Sequence, residues 1–167
     1  SFPVSILNAV VVFGGAGKDH IKVNSNVKLD TILFGGDGDD HLKGGAGNNI
    51  LGGGNGRDHL QGAIARDILI GGRDADQMEG RGNDDILIGG VTVHDANLIA
   101  LESVMREWRR TDVAFPQRAD RIRGTITTGL NAPFFFNQLT LIHDLAIDRM
   151  QGNGALDLYF AGLLDRS

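Results

Sequence analysis

The chain has 167 residues, a formal net charge of −5, 41% hydrophobic residues, 25 glycines and no cysteine. The lack of cysteine excludes a disulfide scaffold and a zinc–thiolate site. The acidic balance argues against nucleic acid as a partner, because phosphate binding needs a basic patch. No apolar run reaches the length of a membrane span. No basic segment precedes the apolar residues 10–13, so we expect no signal peptide there.

A nine-residue repeat organises the first part of the chain. Taking Gly14 as position 1, the unit 14–22 reads GGAGKDHIK, and its register recurs at 35–43, 44–52 and 53–61. Weaker copies follow at 62–70, 71–79, 80–88 and 89–97, two glycine-poor units lie at 5–13 and 26–34, and residues 23–25 form an insert. Positions 7 to 9 predict a short strand whose position 8 points into a core. The apolar residues at position 8 are Val12, Ile21, Leu33, Leu42, Leu51, Leu60, Leu69, Met78, Leu87 and Ala96.

This pattern resembles the GGxGxDxUx repeat of the RTX (repeats-in-toxin, hemolysin-type) calcium-binding family over about residues 5–97. The resemblance implies an all-β fold, a right-handed parallel β-roll or solenoid in which two units make one turn and calcium lies between stacked loops. We therefore expect a calcium-binding β-roll over 1–94, a helical and aromatic covering segment over 95–142, and degenerate closing turns over 143–167.

If two units make one turn, alternate loops stack in two columns. In the first column, loops 14–19, 35–40, 53–58, 71–76 and 89–94 place Asp19, Asp40, Asp58, Asp76 and His94 at position 6. Calcium prefers several hard oxygen ligands, so the three Asp/Asp pairs are the predicted sites, and the column is expected to end at His94. The loops also bring in Gly14, Gly15, Gly17, Gly35, Gly36, Asp37, Gly38, Gly53, Gly54, Asn55, Gly56, Gly71 and Gly72 as expected ligand-loop residues.

The second column differs in its loops. Loops 26–31, 44–49, 62–67 and 80–85 have Thr31, Asn49, Asp67 and Asp85 at position 6. Two interpretations remain open. One or two further calcium sites lie between Asn49, Asp67 and Asp85, or these loops are turns held by packing.

The outward strand positions also differ between the two columns. His20, His41 and His59 share position 7 and should lie about 5 Å apart on adjacent strands. This ladder is either a transition-metal site or an ordinary solvated face. On the other side an apolar row needs a cover; it comprises Val11, Phe13, Ile32, Phe34, Ile50, Ile68, Ile70, Ile86 and Ile88.

From about Asp95 a helical period replaces the nine-residue one. Leu98, Leu101, Val104, Met105 and Trp108 share one face and predict a helix near 96–110, capped by Asp95. A second helix is expected from Pro116 to Ile122. We expect these helices, with Phe134–Phe136, to cover the isoleucine row, although an interface with another chain would also satisfy it.

The repeat register returns after the helices. Units 143–151 and 152–160 place Asp148 and Asp157 at position 6, which predicts two closing turns. The tail also resembles the C-terminal region of large secreted RTX-type proteins of planctomycete-like bacteria, and no function follows from that resemblance. The segments that carry it are Trp108 with Arg110-Thr111-Asp112, Gly129-Leu130-Asn131, His143-Asp144 and Asp157-Leu158-Tyr159-Phe160.

No hydrolase, nucleotide-binding or cysteine-nucleophile motif occurs in the chain. The adjacent carboxylates Asp39-Asp40 and Asp84-Asp85 fit calcium loops better than acid–base catalysis. We therefore predict a non-enzymatic, extracellular or cell-surface bacterial module that folds on binding Ca²⁺ within a larger secreted protein. The alternative is a self-assembling surface-layer, filament or adhesin subunit. The expected partners are calcium ions, with self-association or another extracellular protein as further possibilities.

Overall fold

The computed structural model describes residues 9–142, 144, 146–152 and 155–161. Residues 1–8, 143, 145, 153–154 and 162–167, which include parts of the predicted first unit and closing turns, lie outside the described part. Within these described ranges, ten strands precede two helices and three strands follow them. The strands are β1 (Ala9–Ala16), β2 (His20–Lys22), β3 (Asp30–Asp37), β4 (His41–Lys43), β5 (Asn49–Asn55), β6 (His59–Gln61), β7 (Ile68–Arg73), β8 (Gln77–Glu79), β9 (Ile86–Ile88), β10 (Val91–Thr92), β11 (Leu141–Ile142), β12 (Arg149–Gln151) and β13 (Leu158–Phe160); the helices are α1 (Leu98–Trp108) and α2 (Phe115–Arg123).

Two parallel sheets form the walls of a solenoid. The long sheet has the order β1-β3-β5-β7-β9-β13, and the short sheet has the order β12-β8-β6-β4-β2. Because the chain alternates between the sheets, two nine-residue units complete one turn and stacked positions lie 18 residues apart. The insert at residues 23–25 lengthens one step to 21 residues, as between Asp19 and Asp40. The predicted solenoid is thus confirmed.

Position 8 forms the core between the sheets. Leu33, Leu51 and Leu69 stack in the long sheet, and Leu42 and Leu60 stack in the short one. All five side chains have no exposed surface. The burial of this row stabilises the solenoid by about 25 cal/mol per Å² of apolar area removed from water.

The outer isoleucine row is covered by the helical segment, as predicted. Ile50, Ile68 and Ile86 are buried in one cluster with Met105 and Trp108 of α1 and with residues of α2. The Trp108 indole Nε1–H donates to the Asp84 carbonyl oxygen at 2.8 Å. The Arg118 guanidinium of α2 pairs with the Asp84 carboxylate at 2.6 Å, so Asp84 fastens the cover to the solenoid.

Helix α1 begins two residues later than predicted. Its N-cap is Asn97, whose side chain accepts the Ala100 N–H, rather than Asp95. The Asp95 carboxylate is instead held in the preceding turn by the hydroxyl and N–H of Thr92. Helix α2 ends at Gly124, which has a φ of 79° and supplies the left-handed C-cap.

Unit 89–97 does not continue the solenoid. The predictions that it stacks as a further repeat and that Ala96 lies in the core were therefore wrong. Val91 and Thr92 pair antiparallel with β11 instead of stacking on the preceding turn, and Ala96 is exposed rather than in the core. After the helices the chain returns, and β12 and β13 add to β8 and β9 in parallel register. The stacked residues Asp76 and Asp148 are therefore 72 residues apart in sequence.

Candidate metal centre

The loops of the first column, 14–19, 35–40, 53–58 and 71–76, share an unusual backbone. Positions 2 and 4 adopt left-handed φ values that glycine tolerates and other residues rarely do. At position 4 of the last loop, Asp74 adopts a φ of 73° without being glycine. The glycines with this conformation are Gly15, Gly17, Gly36, Gly38, Gly54, Gly56 and Gly72, with φ between 109° and 124°.

The glycines also let successive loops approach closely. A Cβ atom added at Gly36 would collide with the Gly15 carbonyl oxygen, and one added at Gly54 would collide with the Gly36 carbonyl oxygen. Each loop therefore directs a backbone carbonyl oxygen at the next loop. Backbone carbonyl groups are hard oxygen donors of the type that calcium accepts.

The position-6 aspartates form a continuous row. The Asp40 N–H donates to Asp58 Oδ1 at 2.8 Å, and the Asp58 N–H donates to Asp76 Oδ1 at 2.8 Å. The Asp19 N–H reaches Asp40 Oδ1 in the same way at 2.7 Å. The backbone thus uses one carboxylate oxygen of each stacked aspartate and leaves the other available.

The second carboxylate oxygens of this row have no hydrogen-bond partner. The Oδ2 atoms of Asp19, Asp40, Asp58 and Asp76 are buried and unpaired. Burying a carboxylate oxygen without a partner is costly. A row of such oxygens, aligned by the solenoid, has the chemistry to accept a cation.

The same environment makes these carboxylates weak acids. Burial, with repulsion from neighbouring carboxylates as a smaller cause, raises the pKa of Asp58 to about 7 and that of Asp76 to about 9. Burial also raises the pKa of Asp40. In the absence of a cation the folded row therefore favours protons over negative charge.

The donor set fits calcium. Within the described ranges, no three histidine, aspartate or glutamate side chains converge as a metal-binding group. A cation in the first column would therefore take its other ligands from the loop carbonyl groups. Oxygen ligands of this kind suit calcium, which accepts six to eight of them in flexible geometry, better than transition metals.

Not every predicted loop residue lies in this row. The side chains of Asp37 and Asn55, at position 3, are exposed and pair with each other through Asn55 Nδ2 and Asp37 Oδ1 at 2.7 Å. They stand on the outer surface of the loops.

The expected end of the column at His94 was wrong. Above Asp76 the structure places Asp148, whose Oδ1 accepts the Asp76 N–H at 2.8 Å. In the second column Asp157 occupies the same place above Asp85. The sequence carries this signal, because Asp148 and Asp157 lie at position 6 of the returning register.

The second column holds Thr31, Asn49, Asp67 and Asp85, all of them buried. Unlike the row in the first column, both carboxylate oxygens of Asp67 accept hydrogen bonds, from Asn49 and from the Ala63 N–H. Burial raises the pKa of Asp67 to about 7 and that of Asp85 to about 8. The Oδ2 atom of Asp85, however, is buried without a hydrogen-bond partner, as in the first column. The second column therefore differs from the first at Asn49 and Asp67.

The histidine ladder has the predicted spacing. The ring centroids of His20 and His41 are 4.6 Å apart and those of His41 and His59 are 4.7 Å apart. The first pair meets edge to face, the second stacks nearly parallel, and none of the three joins a metal-binding group among the described residues. A transition-metal site and an ordinary solvated face both remain open interpretations of the ladder.

The fold defines the class of this protein: a solenoid of parallel strands built from nine-residue repeats, with an inserted helical cover. The family model of the RTX calcium-binding nonapeptide repeat matches residues 30–60 and 61–91. The chain therefore contains calcium-binding repeats of the RTX type, and these segments include loops of both columns. Comparisons with curated proteins and with solved structures found no match. No helix in the described part is long and apolar enough to cross a membrane.

Proposed function

We propose that this protein is an extracellular, calcium-binding structural module whose first loop column binds a row of calcium ions and whose solenoid folds when they bind. The observation that carries the proposal is the row of buried, unpaired Oδ2 atoms at Asp19, Asp40, Asp58 and Asp76. Each ion would lie between two successive loops. The three sites are then formed by Asp19/Asp40, Asp40/Asp58 and Asp58/Asp76, together with loop carbonyl groups.

The coupling to folding follows from charge and chain entropy. Without calcium, the row brings together carboxylates whose pKa values are raised by burial, and the glycine-rich loops lose much conformational freedom on ordering. Ligands that bind only the folded state stabilise it in proportion to the logarithm of their concentration. Extracellular calcium modules bind at about 10⁻⁴ to 10⁻³ M, so the module would stay unfolded in the cytosol and fold outside the cell.

RTX repeats typically occur in secreted bacterial proteins, which supports export as part of a larger secreted or surface protein. The adjacent carboxylate pairs Asp39-Asp40 and Asp84-Asp85 fit a structural rather than a catalytic role. Asp40 belongs to the loop row, and Asp84 is engaged by Arg118. Asp40 and Asp84 thus both take part in contacts that stabilise the fold.

One observation favours the alternative function, a self-assembling surface subunit. At the first turn the apolar row runs past the helical cover, and Phe13 is 66% exposed while it stacks on Phe34. Among the described strands, β1 is also at the edge of the long sheet. Exposed strand edges promote pairing with another chain, so an assembly of this kind would use the solenoid end rather than the covered isoleucine row.

The proposal is tested by adding calcium to the calcium-free full chain while circular dichroism and calorimetry are recorded. We expect β-structure to appear cooperatively as calcium binds at about 10⁻⁴ to 10⁻³ M. Magnesium is the matched control and should not replace calcium, because it requires near-ideal octahedral geometry and dehydrates reluctantly. Full β-structure in chelator, with no heat of calcium binding, would overturn the proposal. Sedimentation of the calcium-loaded protein over a range of concentrations tests the alternative.

A further inference from the structure

Loop 44–49 of the second column has the glycine pattern of a calcium loop but not its backbone. It reads GGAGNN, and loop 14–19 of the first column reads GGAGKD. Gly15 and Gly17 have φ values of 111° and 109°, whereas no residue of 44–49, all of which are described, has a positive φ. Glycines at the same repeat positions thus adopt two backbone conformations. Among the residues that define the GGxGxD pattern, the two loops differ at position 6, where one has Asp19 and the other has Asn49.

The Asn49 side chain fills the inside of its own loop. Its Nδ2 donates to the Gly45 carbonyl oxygen at 3.1 Å and to the Gly47 carbonyl oxygen at 2.9 Å. Its Oδ1 accepts the Gly45 N–H at 3.0 Å. Because a backbone N–H only donates and a carbonyl oxygen only accepts, these contacts determine which way the amide points.

The next residue of the column completes this network. Asp67 Oδ1 accepts both the Asn49 N–H at 2.7 Å and Asn49 Nδ2 at 2.8 Å, and Asp67 Oδ2 accepts the Ala63 N–H at 2.6 Å. On the other side, the Thr31 hydroxyl donates to Asn49 Oδ1 at 2.6 Å. In contrast to Asp40 and Asp58, neither Asn49 nor Asp67 retains a buried side-chain oxygen without a partner.

We propose that the Asn49 side-chain amide occupies the place that a calcium ion takes in the first column, so that loop 44–49 binds no calcium. The Nδ2 group supplies the positive end of a dipole to two loop carbonyl groups and a carboxylate, which are the ligands that a cation would need. An aspartate at this position has only acceptor oxygens and would remove this donor from the two carbonyl groups, while Asp67 Oδ1 would keep only the backbone N–H of residue 49. The inference rests on the proposed function of the first column. In the turn that contains loop 44–49, it assigns calcium binding to the first column alone.

Two substitutions at Asn49 test the inference by calorimetric calcium titration and thermal unfolding of the full chain. Asn49→Asp removes the donor and adds a carboxylate beside Asp67, so we expect one more bound calcium than in the wild type and a steeper rise of Tm with calcium. Asn49→Thr reproduces the residue type found one turn away at Thr31. We expect it to bind as many calcium ions as the wild type, with Tm lower by about 4–8 °C from two lost hydrogen bonds.

Asn26→Asp is the matched control, because Asn26 is exposed in the same column and the change adds the same charge. It should leave the number of bound ions unchanged. The inference is overturned if Asn49→Asp binds no additional calcium, or if Asn49→Thr loses a bound ion. If Asn49→Asp does not fold even in calcium, the ion count of Asn49→Thr decides alone. A wild type that binds no calcium refutes the proposed function instead, so the two failures are distinguishable.

Discussion

Asp40 lies between two of the proposed sites, and its replacement by alanine should therefore remove two calcium ions at once. Its Oδ2 is buried and unpaired, and its Oδ1 accepts the Asp19 N–H at 2.7 Å. Asp40→Ala removes both oxygens from the middle of the row. Neighbouring Asp39 is exposed and accepts the Arg57 N–H at 3.0 Å, so Asp39→Ala changes the same charge in the same loop and is the control.

The expected loss of stability depends on calcium. A bound ion contributes about 2.7 kcal/mol when calcium is 100 times its dissociation constant and about 0.4 kcal/mol when calcium equals that constant. The lost hydrogen bond from Asp19 adds about 1 kcal/mol. Asp40→Ala should therefore lower the free energy of unfolding by about 2 kcal/mol at the lower concentration and by about 6 kcal/mol at the higher one.

Urea unfolding followed by circular dichroism, at several fixed calcium concentrations, measures both values. Calorimetry counts the bound ions independently, and we expect about two fewer than in the wild type. Asp39→Ala should lose less than about 1 kcal/mol at every calcium concentration. If the two variants lose the same stability, or if the loss in Asp40→Ala does not grow with calcium, the assignment of Asp40 to two sites is wrong.

Two further predictions follow. Burial raises the folded-state pKa of Asp58 to about 7 and that of Asp76 to about 9 from the ordinary value of 3.8. The stability that these two protonated groups contribute to the calcium-free fold is therefore fully present below about pH 4 and is lost as the pH rises through the folded-state values. Circular dichroism of the calcium-free protein should show more β-structure at pH 5 than at pH 8, and an unchanged or opposite trend would contradict the prediction. Trp108 is fully buried, so Trp108→Ala should lower the free energy of unfolding in calcium by about 3–5 kcal/mol without changing the number of bound ions. The control is Ile99→Ala, at a side chain of α1 that is 49% exposed, and it should lower the free energy of unfolding far less. Equal losses in the two variants would contradict the packing of α1 on the solenoid.

The helical cover is an insertion between two turns of the solenoid. Asp76 bonds to Asp148 and Asp85 bonds to Asp157 over 72 residues of sequence, whereas the other stacked aspartates are 18 or, across the insert 23–25, 21 residues apart. Asp84 contacts both the helical cover and the closing turn. Its carboxylate accepts hydrogen bonds from the Arg118 guanidinium of α2 and from the Leu156 N–H. The insertion thus buries the isoleucine row while leaving the repeat register of the last turn intact.

The solenoid, its core row and the helices could be predicted from the sequence because their signals are local. An apolar residue at every ninth position predicts stacked strands, and the spacing of Leu101, Met105 and Trp108 predicts a helix with one apolar face. The isoleucine row was long enough that a cover was required. The cap of α1 differed by two residues, since Asp95 and Asn97 are both residues that favour this position.

The sequence places Asp148 and Asp157 at position 6 of the returning register, but counting residues does not show which loops they stack on. His94 follows Asp76 by one step of the register, but β10, which comes just before His94, pairs antiparallel with β11, and the returning chain supplies Asp148 instead. Pairing between strands distant in sequence depends on which segments cover the sheet, and a periodic pattern along the chain does not contain that information.

The repeat pattern alone determined that this protein is a stack of glycine–aspartate loops with calcium-binding character. Only the tertiary structure decided which loops keep oxygens for a cation. The carbonyl groups of Gly45 and Gly47 are bonded to the Asn49 amide, whereas the Oδ2 atoms of Asp40 and Asp58 have no protein partner. The physical reason is that a glycine permits several backbone conformations, and the conformation that it adopts depends on the groups that the folded chain places inside the loop.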